Sequence, residues 1–305
     1  MSLVLGIDGG GTHTRASIVD GDRVLGHGES GSIKRLRVGA EAAEANLRTV
    51  LKGVFTQAGV KAVRAACCGV ASVSMPGTAE WIEAVFNDFG VELSDIVGDE
   101  VIALDAAFHG GPGILQIAGT GSNTIGRAPD GQRESAGGWS SHLGDEGSGY
   151  WIGLHSLRRA LRAYDREQPT RILEKIGEIW GTPDLDDLAT YGDSTPGPDF
   201  AALTPAINEL AEAGDPVALD VLHQASADLV EFVLLVRDKL RRKHAIEGEV
   251  PVAWTGSVIE KMRLVREPFF AGLRAAAPNM PVGQTAVVSL EGAIWRARRL
   301  AASQV

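Results

Sequence analysis

The stretch Leu5-Gly6-Ile7-Asp8-Gly9-Gly10-Gly11-Thr12-His13-Thr14 returns 110 positions later as Leu115-Gln116-Ile117-Ala118-Gly119-Thr120-Gly121-Ser122-Asn123-Thr124. The match continues without a gap to Asp20-Gly21 and Asp130-Gly131. Each copy reads as an apolar strand, a glycine turn, an alternating β-branched strand and an Asp-Gly turn. In the first copy a third short strand, Arg23-Val24-Leu25, follows. A duplicated hairpin opening each half of the chain predicts an α/β protein of two duplicated domains facing each other across a cleft.

The turn itself is a phosphate cradle or a plain reversal. A dinucleotide fingerprint or a P-loop needs a helix directly after the glycines, and here a strand follows, so both are excluded. Chain without Cβ atoms still lets several N–H groups converge on an anion, with Thr12 and Thr14 as hydroxyl donors. The second copy repeats hydroxyls as well as glycines, at Gly119, Thr120, Gly121 and Ser122, which favours the cradle. Asp8 becomes Ala118 in the second copy. A carboxylate needed only once suits Mg²⁺ on a nucleotide, which takes one or two carboxylates, often through water.

A chain of 305 residues, 44% of them hydrophobic, is long enough for about two domains with real cores. The formal charge of −10 argues against nucleic acid or an anionic membrane as partner. No charged and apolar leader precedes the first strand and no long apolar run occurs, so a cytoplasmic location is expected. Cys67 and Cys68 are adjacent within an apolar strand and read as small core residues. Apolar spacing predicts helices over 39–58, 78–89, 148–163 and 219–243, with strands at 63–71 and ending at Asp99. The proline- and glycine-rich segment Pro183 to Asp199 reads as a surface loop or an excursion between helices. A third glycine turn, Trp254-Thr255-Gly256-Ser257-Val258, joins a strand to a helix. Trp139, Tyr150 and Trp151 read as packing residues.

The set "GIDGGGTHT", "GDEVIALDAA", "IAGTGSN", "GGWSSHLGDEGSGYWIG", "TGSV" and "EGA" resembles the BadF/BadG/BcrA/BcrD ATPase family. Within that family it is similar to the N-acetylglucosamine and glucosamine kinases. The resemblance covers nearly the whole chain and implies the actin-like, sugar-kinase and heat-shock ATPase fold: two duplicated ribonuclease H-like lobes around a nucleotide cleft. The lobes implied are 1–111 with the C-terminal helix 291–305, and 112–290. It further implies ATP and Mg²⁺ as cofactors and a small-molecule sugar as substrate; a homodimer is also expected.

Residue by residue, the resemblance makes Asp8 the holder of Mg²⁺ through water. Gly10, Gly11 and Thr12 match the first phosphate loop, Gly119, Thr120, Gly121 and Ser122 the second, and Gly256 and Ser257 the adenosine turn. Asp99 matches the general base for the sugar hydroxyl, while Asn123 and Asp145 match sugar-binding positions. Asp99 and Asp145 alternatively cap the helices that follow them. Asp105 reads as structural or hinge-related. The family's asparagine after the third strand is missing from Ser30-Gly31-Ser32-Ile33-Lys34-Arg35-Leu36-Arg37. Lys34 or Arg35 there either meets an anionic substituent, such as the carboxylate of an acidic amino sugar, or belongs to a solvated loop. The reaction implied is ATP-dependent phosphorylation of an amino-sugar hydroxyl. The rivals are an ATPase without sugar substrate, whose iron–sulfur class needs well-separated cysteines, and a non-catalytic ATP-binding regulator.

Overall fold

In the computed structural model, which describes residues 2–71 and 73–303, the chain divides into two compact units. The first runs to Gly113 and resumes at Val287, and the second spans Ile114–Ala286.

Unit 1 is built on β1 (Val4–Gly9), β2 (His13–Asp20) and β3 (Arg23–Gly31). The short helix α1 (Arg35–Val38) and α2 (Ala40–Ala58) follow. Then come β4 (Val63–Val70), α3 (Thr78–Asp88), β5 (Val91–Val97) and α4 (Asp99–Phe108). The sheet order is β3-β2-β1-β4-β5. The hairpin strands pair antiparallel and β1, β4 and β5 run parallel. Central parallel strands are covered on both faces, which is why β4 after Arg64 is continuously small and apolar rather than alternating. Leu5, Ile7 and Cys68 face the cluster formed with α2 and α3, whereas Val4, Ala65 and Cys67 face the opposite one. The vicinal cysteines are therefore free, buried and on opposite sides of the sheet.

Unit 2 contains β6 (Gly113–Ala118), whose first residue closes unit 1, then β7 (Ser122–Arg127) and β8 (Arg133–Ala136). Its helices are α5 (Gly149–Asp165), α6 (Ile172–Trp180), α7 (Leu185–Gly192), α8 (Thr204–Glu212) and α9 (Pro216–His244). After β9 (Val252–Thr255) come α10 (Ser257–Lys261) and α11 (Arg263–Ala276). The sheet order β8-β7-β6-β9 packs on a core in which α9 contributes Val221, Leu222, Ala225, Leu229, Val233, Val236 and Leu240. The chain then returns to unit 1 as α12 (Ser289–Ala302), laid against β1, β4 and α4. The last two positions of the helix expected over 291–305 lie outside the described residues.

α12 approaches α4 so closely that a Cβ on Gly292 would stand 1.8 Å from the Ile102 carbonyl oxygen, so only glycine fits. Beside it, Arg296 donates from Nε to Asp95 at 2.8 Å and from Nη1 to Asp105 at 2.6 Å. The Asp105 side chain is 1% exposed. Burial works against the Arg296 charge, but the hydrogen bonds to both carboxylates more than offset it and raise its pKa.

Four boundaries differ from the sequence reading. The segment 183–199 is not all loop: Asp184 accepts the Asp187 N–H at 2.9 Å and starts α7. α9 begins earlier than 219 because Asp215 accepts from the N–H groups of Val217 and Ala218, both at 3.0 Å. β3 extends past Leu25 through Gly26 and Gly28, whose low strand propensity hid it. A Cβ at Gly26 would stand 2.4 Å from the Val54 carbonyl oxygen, so the strand needs glycine to pass beneath α2. β5 ends at Val97, and Asp99 is the first residue of α4 instead of the last of a strand. Among the described residues no helix is long and apolar enough to cross a membrane.

Candidate active site

The first glycine turn links β1 to β2, and its glycines have different causes. Gly9 is fixed by packing, since a Cβ there would stand 2.5 Å from the Ile33 Cδ1 atom. Nothing comparable constrains Gly10 or Gly11. Neither has a positive φ, a Gly11 Cβ would meet nothing within 4 Å, and a Gly10 Cβ would come no closer than 3.4 Å, to the His13 carbonyl. The fold does not require glycine at 10 and 11, and bare backbone with open space beside it is what a phosphate needs. Thr12 adds a hydroxyl that accepts from Arg37 Nη1 at 3.3 Å, the same nitrogen donating to the Gly11 carbonyl at 3.3 Å.

The recurring hydroxyls have another role than the one expected of them. Thr14 is buried and donates to the Gly31 carbonyl at 2.9 Å. Ser122 is buried and donates to the Glu146 carbonyl at 2.7 Å. Thr124, the counterpart of Thr14, donates to Gln116 Oε1 at 2.6 Å. These hydroxyl protons tie each hairpin to its own unit.

The cations after β3 also sort differently. The Arg35 guanidinium lies over the Trp81 ring, 4.5 Å from its centroid. Lys34 precedes α1, and among the described residues its ammonium makes no hydrogen bond or ion pair. Arg37, which the sequence reading did not single out, is the cation that touches the glycine turn; the only signal was its place in the basic run.

Asp8 and Asp99 are the two candidate-site carboxylates of unit 1. Asp8, at the end of β1, forms no hydrogen bond or ion pair among the described residues. Its pKa is raised by burial, against the opposing charge of Arg15. Asp99 does not cap α4: that position is Gly98, and Asp99 Oδ1 accepts the neighbouring Glu100 N–H at 3.2 Å. Burial, followed by Glu100 and then Asp8, pushes its pKa up to about 7. A carboxyl balanced there at neutral pH is tuned for general-base work. A partly buried Asp8 without a hydrogen-bond partner fits a cation beside it, and the chemistry of the donor set suits Mg²⁺. Among the described residues no three or more His, Cys, Asp or Glu side chains form a cage, so such an ion would depend on water and phosphate oxygens for its other ligands.

In unit 2 the second turn, Gly119-Thr120-Gly121, is held by helix α5. The backbone N–H groups of Gly149 and Tyr150 donate to the carbonyls of Gly119 and Thr120 at 2.8 and 3.2 Å. Ser148 caps α5 by accepting the Trp151 N–H at 3.0 Å, so Asp145 is not the cap. Asp145 lies beside the turn instead, with Oδ2 3.0 Å from where a Gly121 Cβ would stand. Asn123 follows on β7, its side chain against Gly138, where an added Cβ would come within 2.9 Å of it.

The third turn meets the second. Gly256 has φ 109°, and a Cβ there would stand 2.4 Å from the Ala118 carbonyl oxygen, so glycine is obligatory. Glu260 fixes it by accepting the Gly256 N–H at 2.8 Å. Between the turns lies a cavity of about 350 Å³ lined by Gly119, Thr120, Thr204, Asn208, Ser257 and Lys261, among others. Its volume suits a nucleoside-sized ligand. Helix α8, which supplies Thr204 and Asn208, carries no motif that sequence reading could have found. Tyr150 and Trp151 pack against the core as expected. Trp139 does not: it is 81% exposed, on a loop whose glycines 137 and 138 both have positive φ.

A family model described as the BadF/BadG/BcrA/BcrD ATPase family matches residues 5–294. An N-acetylmuramic acid/N-acetylglucosamine kinase of Clostridium acetobutylicum is 28% identical, the match covering 98% of this chain and 99% of that protein. An N-acetyl-D-glucosamine kinase of Dictyostelium discoideum is also 28% identical, over 93% of each. Among solved structures, a candidate N-acetylglucosamine kinase of Chromobacterium violaceum superposes with a TM-score of 0.74. It is 27% identical, with 96% of this chain and 98% of that one covered.

Proposed function

The chain belongs to the BadF/BadG/BcrA/BcrD ATPase family, and on that premise we propose that it is an ATP-dependent kinase that phosphorylates a hydroxyl of an amino sugar. The observation that carries this reading is the pair of partly buried carboxylates in unit 1. Asp99 is not the N-cap of α4 and its pKa is pushed up to about 7, and Asp8 has no hydrogen-bond partner among the described residues.

In this reading Asp99 accepts the proton of the attacking hydroxyl and Asp8 holds Mg²⁺ through water. The metal, when bound, supplies charge neutralisation on the phosphates. Gly10, Gly11 and Thr12 in unit 1, and Gly119, Thr120 and Gly121 in unit 2, receive phosphate oxygens. Gly256 and Ser257, with the cavity toward α8, take the adenosine. Asn123 and Asp145 hydrogen-bond the sugar. Phosphoryl transfer needs little covalent help, so this positioning is most of the protein's work.

The acceptor class extends to acidic amino sugars, with Lys34 meeting the carboxylate. Arg35 stacks on Trp81 and Arg37 contacts the first turn, and Lys34 is the cation of the three assigned to that role. The relative named for both N-acetylmuramic acid and N-acetylglucosamine supports the range. A panel of glucosamine, N-acetylglucosamine, N-acetylmuramic acid, glucose and no sugar, with ATP and Mg²⁺, tests the reading. Sugar phosphate forms in the amino-sugar lanes; equal ATP hydrolysis in every lane without sugar phosphate refutes the kinase. Replacing Lys34 by Ala lowers kcat/KM for N-acetylmuramic acid but not for N-acetylglucosamine, and equal losses refute the carboxylate contact. The same proposal includes a cytoplasmic homodimer, and size-exclusion chromatography with light scattering checks the dimer.

A further inference from the structure

Helix α5 holds the second glycine turn with its first residues, and its far end lines a separate cavity of about 600 Å³. Arg159 and Arg162 line that cavity from the helix, and Arg166 from the residue that caps its C-terminus. Arg159 and Arg162, three residues apart, share one face of the helix. The opposite wall comes from the start of α9, where Asp220 pairs with Arg159. Among the described residues the guanidinium groups of Arg162 and Arg166 form no ion pair or hydrogen bond. The chain carries 39 acidic against 29 basic residues, so cations gathered around one concavity with a single carboxylate run against its overall charge. Like charges at helical spacing repel one another. An entering anion removes that repulsion and gains paired N–H donors from planar guanidinium groups, the geometry that matches phosphate. Ala163, Pro169, Pro216 and Val217 supply an apolar wall beside the arginines.

We propose that this cavity is a binding site for a phosphomonoester of a small polar molecule, with Arg162 and Arg166 receiving the phosphate and the apolar wall receiving the carbon frame. The volume lies within the usual range for small-molecule sites. Occupancy is felt at the second glycine turn, because both ends belong to one continuous 17-residue helix, about 25 Å long. The turn-facing end is bound to the turn through the Gly149 and Tyr150 N–H groups. A ligand that shifts or stiffens α5 therefore changes how the turn receives nucleotide.

Isothermal titration with glucose 6-phosphate and with inorganic phosphate, at low salt, tests the site, the protein being saturated with AMP-PNP and Mg²⁺. Glucose 6-phosphate binds saturably to the wild type, and R162A/R166A weakens it by about tenfold or more. The melting temperature and basal turnover of the variant stay unchanged, since both side chains are exposed. Equal affinity in the variant, or no saturable binding up to about 10 mM, overturns the site. Inorganic phosphate binding as tightly as glucose 6-phosphate overturns the role of the apolar wall. Repeating the titration without AMP-PNP changes the affinity, and ATP affinity shifts by the same factor when the ester is added; equal constants overturn the coupling.

Discussion

Replacing Asp99 by Asn removes a charge that the folded protein holds at a cost. The carboxyl ordinarily titrates near 3.8 and is pushed up to about 7, first by burial and then by Glu100 and Asp8. The folded state therefore holds the proton more tightly than the unfolded chain, so stability falls as the pH rises from about 4 to about 7. Each pKa unit corresponds to about 1.36 kcal/mol. Carrying this carboxyl in the folded state then costs roughly 2 kcal/mol at pH 5, where it is held protonated, and roughly 4 kcal/mol at pH 8, where it is ionised. Asparagine carries no such dependence, although burying its amide costs about 1–2 kcal/mol at every pH. Asp99→Asn is thus about neutral at pH 5 and stabilising by about 2–3 kcal/mol at pH 8. Urea unfolding of both proteins at the two pH values, with EDTA and without nucleotide, measures the difference. A gain of equal size at both values, or a loss at pH 8, refutes the burial argument. The same variant loses about 10²- to 10⁴-fold in kcat if Asp99 is the base, so one substitution raises stability while removing activity.

The wild-type kcat/KM profile has an acid limb with an apparent pKa near 7, the value to which Asp99 is pushed, and a flat profile from pH 5 to pH 8 removes Asp99 as the base. Gly11→Ala leaves stability within about 0.5 kcal/mol because the added methyl meets nothing, yet weakens ATP about tenfold or more, read by a fluorescent nucleotide analogue. Gly256→Ala, with φ 109° and a Cβ 2.4 Å from the Ala118 oxygen, lowers the melting temperature as well as ATP binding. Arg296→Met removes the hydrogen-bonded ion pairs to Asp95 and the buried Asp105 and costs about 3–5 kcal/mol in urea unfolding. Thr14→Val, which removes the bond to Gly31, destabilises by about 1–3 kcal/mol and leaves KM for ATP unchanged.

Much of the architecture was legible because period and repetition are local. The strand pattern of β1 and β2, the apolar stripe of α9 and the Cys67-Cys68 strand all show themselves within a few residues. Limits were set by side chains whose partners lie far along the chain. The hydroxyls of Thr14 and Ser122 recur with the glycines and so read as ligand donors, but their acceptors, Gly31 and Glu146, are 17 and 24 residues away. Arg35 and Arg37 are equal cations in sequence; only Trp81 and the Gly10-Gly11 turn separate their roles. Asp99 and Asp145 each stand before a helix, yet Gly98 and Ser148 cap those helices, which frees both carboxylates from the simplest structural explanation. Thr204 and Asn208 belong to a helix that carries no motif at all.

The return of α12 to unit 1 sets an order on synthesis. Its face of the first sheet, with Val4, Ala65 and Cys67, stays open until Ala293 and Ala297 have been made, and all of unit 2 is translated before them. Asp105 waits just as long for Arg296. Unit 2 is a single uninterrupted segment and can close while still attached to the ribosome. The half of the protein that begins the chain is therefore the half that finishes folding last.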